Sequence, residues 1–136
     1  STVAEIVAPS DVPKERWGHV YTVEIVRRLA DFAGRNVQRA EYGDRVTIIC
    51  RDGSEGYPEE APYDRIVVTA AAPRVPAPLR VQLKPGGVMV IPVGNIGFYQ
   101  TLLRIRREDG EYFEEDLGGV AFVPLVGKHG YRVDSF

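Results

Sequence analysis

The hydrophobic positions in the first half of the chain alternate between short β-branched runs and a longer stretch of helical periodicity. Residues 19–24 and residues 45–50 are rich in β-branched side chains, which is typical of strands. Between them, residues 25–41 carry an apolar stripe on one helical face, formed by Val26, Leu29, Ala30, Ala33 and Val37. A strand, a helix and a second strand in this order predict two parallel strands joined by a right-handed crossover.

The second half of the chain begins by repeating this alternation. Residues 66–69 and residues 88–93 predict two more strands, each ended by small residues or by a Gly/Pro turn. A short helix over residues 77–83 separates them, because Pro76 and Pro78 are tolerated only in a loop or in a first helical turn. We expect these two strands to be parallel as well.

The end of the chain has a different pattern. Residues 101–107 alternate in part between apolar and polar side chains, and Asp109-Gly110 is a turn dipeptide typical of β-hairpins. Residues 120–126 form a last apolar run, which predicts a final strand. The sequence therefore predicts an α/β sheet that is mostly parallel and finishes with antiparallel strands.

Acidic and small residues follow the predicted strands at the places where open α/β sheets bind ligands. Glu24 can accept hydrogen bonds from both hydroxyls of a ribose, or it can cap the following helix. Asp52-Gly53 follows the next strand and is also one of the commonest turn dipeptides. Thr69-Ala70-Ala71-Ala72-Pro73 leaves room beside a ligand, or forms a tight helix entry. We expect these residues to face one crevice.

The motifs of this region are specific beyond their glycine pattern. They are Asp52-Gly53-Ser54, Gly56-Tyr57, residues 59–64, the run Thr69-Ala70-Ala71-Ala72-Pro73, and residues 82–87 followed by Ile91-Pro92-Val93-Gly94. Together they resemble the protein-L-isoaspartate O-methyltransferase family, and residues 120–125 are similar to its carboxyl-terminal signature. The resemblance extends from about Gly18 to about Gly130.

The resemblance implies the Rossmann-like sheet of class I methyltransferases. Members of that class carry a glycine-rich turn after their first, central strand, and no such turn precedes Gly18. Residues 1–8 have helical spacing and look like the helix that would follow the turn. We therefore interpret residues 1–136 as a single methyltransferase domain that lacks its first strand. The strands that end at Glu24 and Thr69 should then have unpaired edges.

The resemblance also implies a function and a site. It implies S-adenosylmethionine as methyl donor, S-adenosylhomocysteine as product, and the free carboxylate of L-isoaspartyl residues in damaged proteins and peptides as acceptor. The implied cofactor residues are Glu24, Ile25, Asp52 and Gly53, with Asp52 on the adenine, and the implied substrate residues are Thr69, Ala70 and Ala71. No catalytic residue and no metal ligand is assigned.

Two other functions stay open at this point. The chain could belong to another class I methyltransferase, because cofactor motifs do not define the acceptor. It could also be a non-catalytic fragment that keeps only the adenosine half of the site. The family usually has Gly before the acid at Asp52, and here Arg51 takes that place.

Composition limits the remaining choices. A chain of 136 residues with 44% hydrophobic residues is ordinary material for one domain. A net charge of -2 without a basic run argues against nucleic-acid binding, and no apolar stretch reaches the length of a membrane span. The lone Cys50 cannot form an internal disulfide, which indicates a reducing, cytoplasmic setting. We expect a monomer when the protein is intact.

Overall fold

The computed structural model describes residue 13, residues 18–95 and residues 97–132. The chain separates into two compact units, Ser1–Arg51 and Asp52–Phe136. The helix predicted for residues 1–8 lies outside the described residues. In the described part of the chain, neither helix has the length and apolar character that crossing a membrane requires.

The first unit is a strand, a helix and a strand. Strand β1 (Val20–Val23) pairs in parallel with β2 (Val46–Ile49), with Val20 opposite Val46 and Val23 opposite Ile49. Helix α1 (Arg27–Arg39) connects them, and Ala30 on its predicted apolar stripe is buried. The predicted parallel pair and its connecting helix are confirmed.

The second unit holds a four-stranded sheet in the order β3-β4-β5-β6. Strand β3 (Tyr63–Val67) and β4 (Leu83–Val93) are parallel and are joined through helix α2 (Ala77–Val81). Strand β5 (Gln100–Glu108) and β6 (Glu111–Val120) complete the sheet with antiparallel pairings. The α/β class and the antiparallel carboxyl-terminal strands are confirmed.

Strand β4 begins earlier than the hydrophobic run predicted, at Leu83 rather than at Val88. Leu83 pairs with Tyr63, whereas the regular ladder starts where Val88 pairs with Arg65. The intervening residues of β4, which include Pro85 and two glycines, bulge out of the ladder. The apolar run therefore marks the regular part of the strand.

The hairpin between β5 and β6 turns at Asp109 and Gly110. Both residues have positive φ angles, 51° for Asp109 and 77° for Gly110. A two-residue hairpin turn with two positive φ angles favours an Asp-Gly sequence, because Asp tolerates the left-handed region and Gly adopts it at no steric cost. The predicted hairpin is confirmed.

The final strand predicted for residues 120–126 is wrong. Strand β6 ends at Val120, and the segment that follows it, residues 121–126, makes only isolated bridges. Pro124 has no backbone N–H and therefore cannot donate to a ladder. Its neighbours bond to Ala71 instead: the Val123 carbonyl accepts from the Ala71 N–H at 2.7 Å, and the Leu125 N–H donates to the Ala71 carbonyl at 2.8 Å.

The core of the second unit lies along one face of β4 and β5. Its fully buried members alternate along β4 and continue onto the facing position of β5. They pack with the buried leucine of α2 and with an alanine that follows β3. The cluster consists of Ala72, Leu79, Leu83, Met89, Ile91 and Ile105.

Among the described residues, four strands have one edge without a strand partner: β1, β2, β3 and β6. Strand β1 pairs only with β2, and β3 pairs only with β4. These are the strands that lead to Glu24 and Thr69, for which unpaired edges were predicted. Only beyond the end of β3, at Ala71, does the segment 121–126 cover the side opposite β4.

Candidate active site

Glu24 lies directly after β1, at the carboxyl end of the parallel pair. Its N–H donates to the Ile49 carbonyl at 2.9 Å, and its carbonyl accepts from the Arg51 N–H at 3.2 Å. Its side-chain Oε1 accepts from the Val26 N–H at 3.1 Å, so Glu24 does support the entry to α1. No described residue donates to Oε2, which leaves this carboxylate able to accept from a ligand.

Ile25 continues the chain from Glu24 and has a partly exposed side chain. Its carbonyl accepts a weak hydrogen bond from the Cys50 thiol, with 3.8 Å between sulfur and oxygen. Cys50 is half-buried and forms no disulfide. This contact is that of a structural thiol, which holds the end of β2 against the turn after β1.

Asp52 is the first residue of the second unit, and its side chain hydrogen-bonds within the turn that it begins. Its Oδ1 accepts from the Ser54 N–H at 2.9 Å and from the Ser54 hydroxyl at 2.6 Å, which caps the 3-10 helix Gly53–Glu55. Its Oδ2 accepts from the Lys128 N–H at 2.7 Å. The turn interpretation of Asp52-Gly53 is therefore correct. A carboxylate offers about four lone-pair positions, so one acceptor position remains for a ligand.

These hydrogen bonds lower the pKa of Asp52. Partial burial raises the pKa, but the N–H of Lys128 and the hydroxyl and N–H of Ser54 favour the ionised form more strongly. His129 lowers the pKa further through its charge. The carboxylate is therefore ionised at neutral pH and acts only as an acceptor.

Gln82 fixes the loop that carries Asp52 and Gly53. The Gln82 side chain is only 6% exposed, and its amide accepts from the Tyr57 N–H and donates to the Glu55 carbonyl, both at 2.9 Å. Gly56 has a φ of 68°, and a Cβ there would lie 2.2 Å from the Gln82 amide oxygen. The glycine is therefore needed both for its backbone angle and for the close approach of Gln82.

The predicted substrate residues after β3 differ in their surroundings. Thr69 is exposed and Ala70 is half-buried, whereas Ala71 is fully buried with both backbone groups bonded to the segment 121–126. Helix α2 begins only at Ala77, so the three alanines are not a tight helix entry. Thr69 and Ala70 are therefore accessible to solvent, whereas Ala71 is not.

Sequence reasoning missed the residues that hold these loops. Gln82 lies in the family motif of residues 82–87, but its contacts were not predicted. The hydrogen bonds from the Lys128 N–H to Asp52 and from the His129 N–H to Ser54 were not predicted either. The His129 N–H donates to the Ser54 hydroxyl at 3.0 Å. Such bonds join residues about 75 positions apart and leave no periodic signal. Among the described residues, no group of three or more His, Cys, Asp or Glu side chains could hold a metal ion.

The chain has an α/β fold with an acid after each of the parallel strands β1 and β2, and open α/β sheets bind ligands at such strand ends. Residues 7–130 match the model of the family described as Protein-L-isoaspartate(D-aspartate) O-methyltransferase. The chain belongs to this family.

Relatives and solved structures agree with this assignment. The chain is 55% identical over 132 residues to the Protein-L-isoaspartate O-methyltransferase of Hyperthermus butylicus, covering 97% of this chain and 55% of that protein. It is 52% identical over 133 residues to the protein of the same name from Staphylothermus marinus, covering 97% and 58%. The chain therefore spans a little over half the length of these curated relatives.

Two solved structures share the fold. One, a protein-L-isoaspartate O-methyltransferase, has a TM-score of 0.76 and 32% identity, over 83% of this chain and 36% of that one. The other, from Plasmodium falciparum, is described as a protein-L-isoaspartate O-methyltransferase in complex with S-adenosyl-L-homocysteine. It has a TM-score of 0.73 and 25% identity, over 87% of this chain and 56% of that one.

Proposed function

We propose that the protein containing this chain is a repair methyltransferase, which transfers a methyl group from S-adenosylmethionine to the free carboxylate of L-isoaspartyl residues in damaged proteins and peptides. The observation that carries this proposal is the 55% identity to the Hyperthermus butylicus enzyme across nearly the whole chain. The family match over residues 7–130 supports the same conclusion.

The acids after β1 and β2 suit the adenosyl part of the methyl donor. The Plasmodium falciparum structure contains S-adenosyl-L-homocysteine, which supports S-adenosylmethionine as donor. Glu24, with Ile25 beside it, would hold the ribose, because its Oε2 has no donor among the described residues. Asp52 and Gly53 would hold the adenine, because the Asp52 carboxylate keeps one acceptor position. When bound, the donor supplies a methyl group on a positively charged sulfur.

The acceptor needs little chemical help from the protein. A carboxylate with an ordinary pKa is ionised near neutral pH and is already nucleophilic, so no general base is required. Thr69 and Ala70, supported by Ala71, would position the carboxylate oxygen and exclude water. Positioning of this kind is worth roughly 7–11 kcal/mol. Carboxylate and sulfonium charges cancel during the transfer, so a dry pocket of small apolar residues favours the step.

A comparison of two peptides tests the proposed function. The gene product that carries this chain is incubated with S-adenosylmethionine and with an isoaspartyl peptide or its aspartyl twin. We expect ester formation on the isoaspartyl peptide alone. Equal methylation of both peptides, or of neither, would mean that the acceptor belongs to another class of methyltransferase substrate.

Calorimetry on residues 1–136 alone tests the fragment interpretation. We expect S-adenosylhomocysteine to bind weakly to this chain, because part of the cofactor contacts would lie in residues that the longer relatives have in addition. Binding without any methyl transfer would show that these residues keep only the adenosine half of the site.

We further propose that residues 1–136 are the carboxyl-terminal portion of a single methyltransferase domain. The unpaired edges of β1 and β3 support this proposal, as does the greater length of the relatives. We also propose a monomer in the reducing environment of the cytoplasm, which the single free thiol of Cys50 supports. Size-exclusion chromatography with light scattering checks the monomer.

A further inference from the structure

Gln100, at the start of β5, is a buried polar residue whose side chain bonds only to backbone groups. It is 3% exposed. Its Nε2 donates to the Asn95 carbonyl at 3.2 Å and to the Phe98 carbonyl at 2.9 Å, and its Oε1 accepts from the Phe122 N–H at 2.7 Å. The amide thus uses both of its donors and joins two separate parts of the chain.

The first of these parts is the loop of residues 94–99, in which residue 96 is not described. Its Gly94 carbonyl also accepts from the Tyr131 hydroxyl. The Gly94, Asn95 and Phe98 carbonyls are all hydrogen-bonded. The side chains of Phe98 and Tyr99 are nevertheless 75% and 84% exposed. Two exposed aromatic side chains beside backbone groups that are hydrogen-bonded at Gly94, Asn95 and Phe98 are suited to contacts with a partner, because less conformational entropy is lost when they are covered.

The second part is the segment 121–126. Phe122 is followed by Val123, which is 70% exposed and whose carbonyl accepts from the Ala71 N–H at 2.7 Å. Ala71 follows Thr69 and Ala70, the surface residues of the proposed acceptor site. Hydrogen bonds therefore connect the loop 94–99 through Gln100 and the segment 121–126 to that site.

We propose that Gln100 is a positioning residue for the methyl acceptor. It fixes the loop 94–99 and the segment 121–126 so that Phe98, Tyr99 and Val123 contact the polypeptide residues that flank the isoaspartyl residue. The partner is an extended polypeptide with apolar flanking side chains, since the contacting side chains are apolar or aromatic. This inference rests on the proposed function and adds a binding surface to it.

Substitution of Gln100 tests this role in the gene product that carries the chain. Gln100→Met keeps the volume and removes all three hydrogen bonds. We expect the KM for an isoaspartyl hexapeptide with apolar flanking residues to rise about tenfold while kcat stays within about twofold, because ground-state and transition-state binding are lost together. Gln100→Glu can still accept from the Phe122 N–H, but its second carboxylate oxygen faces the Asn95 and Phe98 carbonyls, so it should raise KM at least as much as Gln100→Met. An unchanged peptide KM in both variants would overturn the proposal.

Gln82→Met is the matched control. Gln82 is similarly buried in the same unit and also bonds only to backbone, but it holds the loop of Asp52 and Gly53. We expect it to raise the KM for S-adenosylmethionine rather than that for the peptide. If it raises the peptide KM as much as Gln100→Met does, general loosening of the unit explains the effect and the proposal fails.

If the Gln100 variants do not fold, the double variant Phe98→Ser, Tyr99→Ser tests whether these side chains contact the peptide. Both side chains are exposed, so their removal leaves the core intact. A raised peptide KM with unchanged kcat supports the proposal, and an unchanged KM overturns it. Failure of the unaltered protein to methylate the isoaspartyl peptide would instead refute the proposed function, and this inference with it.

Discussion

Asp52 shows how one side chain serves both the fold and the proposed site. Its carboxylate caps a 3-10 helix through Ser54 and holds the backbone of Lys128, which lies far along the chain. The same carboxylate keeps one acceptor position, and we propose that the adenine uses it. A substitution at Asp52 is therefore expected to change stability as well as cofactor affinity, and experiments have to separate the two.

The pH dependence of stability isolates the structural role. The pKa of Asp52 is lowered in the folded state, so its contribution is fully present above its unfolded pKa of about 3.9 and is lost as pH falls through the lowered folded value. We expect Asp52→Asn to reduce the free energy of unfolding by about 1 kcal/mol at pH 7 and by less at pH 3. Urea unfolding at both pH values measures this. Asp109→Asn in the exposed hairpin turn is the control, and an equal loss at both pH values for Asp52→Asn would contradict the assignment.

Glu24 offers the complementary test of the cofactor role. Glu24→Ala removes the carboxylate, and we expect affinity for S-adenosylhomocysteine to fall by roughly 1.5–3 kcal/mol, the scale of a hydrogen bond to a charged group. Glu24→Gln keeps an acceptor for the Val26 N–H, so it separates the helix-entry contact from the charge. Calorimetry on the gene product measures the affinity, with the exposed Glu60→Ala as control. Unchanged affinity in Glu24→Ala would remove Glu24 from the site.

At the scale of secondary structure, local periodicity predicted the elements whose partners are also local. The parallel pair around α1 and the hairpin at Asp109-Gly110 followed from patterns within about 30 residues. The run 120–126 was wrongly predicted as a strand. Its apolar side chains indicate that the segment packs against the protein, but they do not indicate which backbone groups it bonds to. Its partner, Ala71, lies some 50 positions earlier.

The residues of the proposed site also fall into those that local patterns predicted and those that depend on contacts distant in sequence. Glu24, Asp52 and Thr69 could be placed after strands because strand ends are visible in the hydrophobic pattern. Gln82 and Gln100 could not be predicted, since each holds its loop through side-chain bonds to backbone. Gln82 reaches about 25 positions to Tyr57 and Gln100 reaches 22 to Phe122, and such bonds follow from the folded geometry rather than from any repeat.

Residues 127–129 lie against the 3-10 helix Gly53–Glu55, and this contact should tolerate no side chain at Gly127. A Cβ at Gly127 would lie 2.0 Å from the Asp52 Oδ1 and 2.6 Å from the Ser54 hydroxyl. We expect Gly127→Ala to lower the free energy of unfolding by about 1–3 kcal/mol, as overpacking does. Gly119→Ala is the control, because nothing lies within 4 Å of its Cβ position. Equal stability of the two variants in urea unfolding would contradict this account of the contact.

At the scale of the whole molecule, strand edges are left unpaired and apolar side chains are left exposed, so the chain buries its apolar surface incompletely. On α1, Leu29 of the predicted apolar stripe and Phe32 are both exposed, and Val67 of β3 is exposed as well. Unpaired strand edges and bare apolar surface both cost stability relative to a completed sheet. The chain spans a little over half the length of the Hyperthermus butylicus and Staphylothermus marinus relatives, which have residues that this chain does not contain.

We therefore expect the further residues of a longer relative, added before residue 1, to stabilise this chain. Their addition should raise Tm by at least about 10 °C, since a few kcal/mol shift Tm by several degrees each in a domain of this size. Differential scanning calorimetry compares the extended protein with residues 1–136. A Gly/Ser-rich extension of equal length is the control. An equal Tm for all three would show that the open edges are not completed by the added residues.

The bonds at Ala71 set a limit on any strand that joins the open side of β3. Val123 and Leu125 already occupy the backbone groups of Ala71, so the available edge runs from Tyr63 to Thr69, roughly 20 Å at the rise of a strand. The segment 121–126 thus limits the length of the edge of β3 that another strand can pair with. A strand that joins this edge has to turn away beside Thr69, next to the surface at which we propose that the methyl acceptor binds.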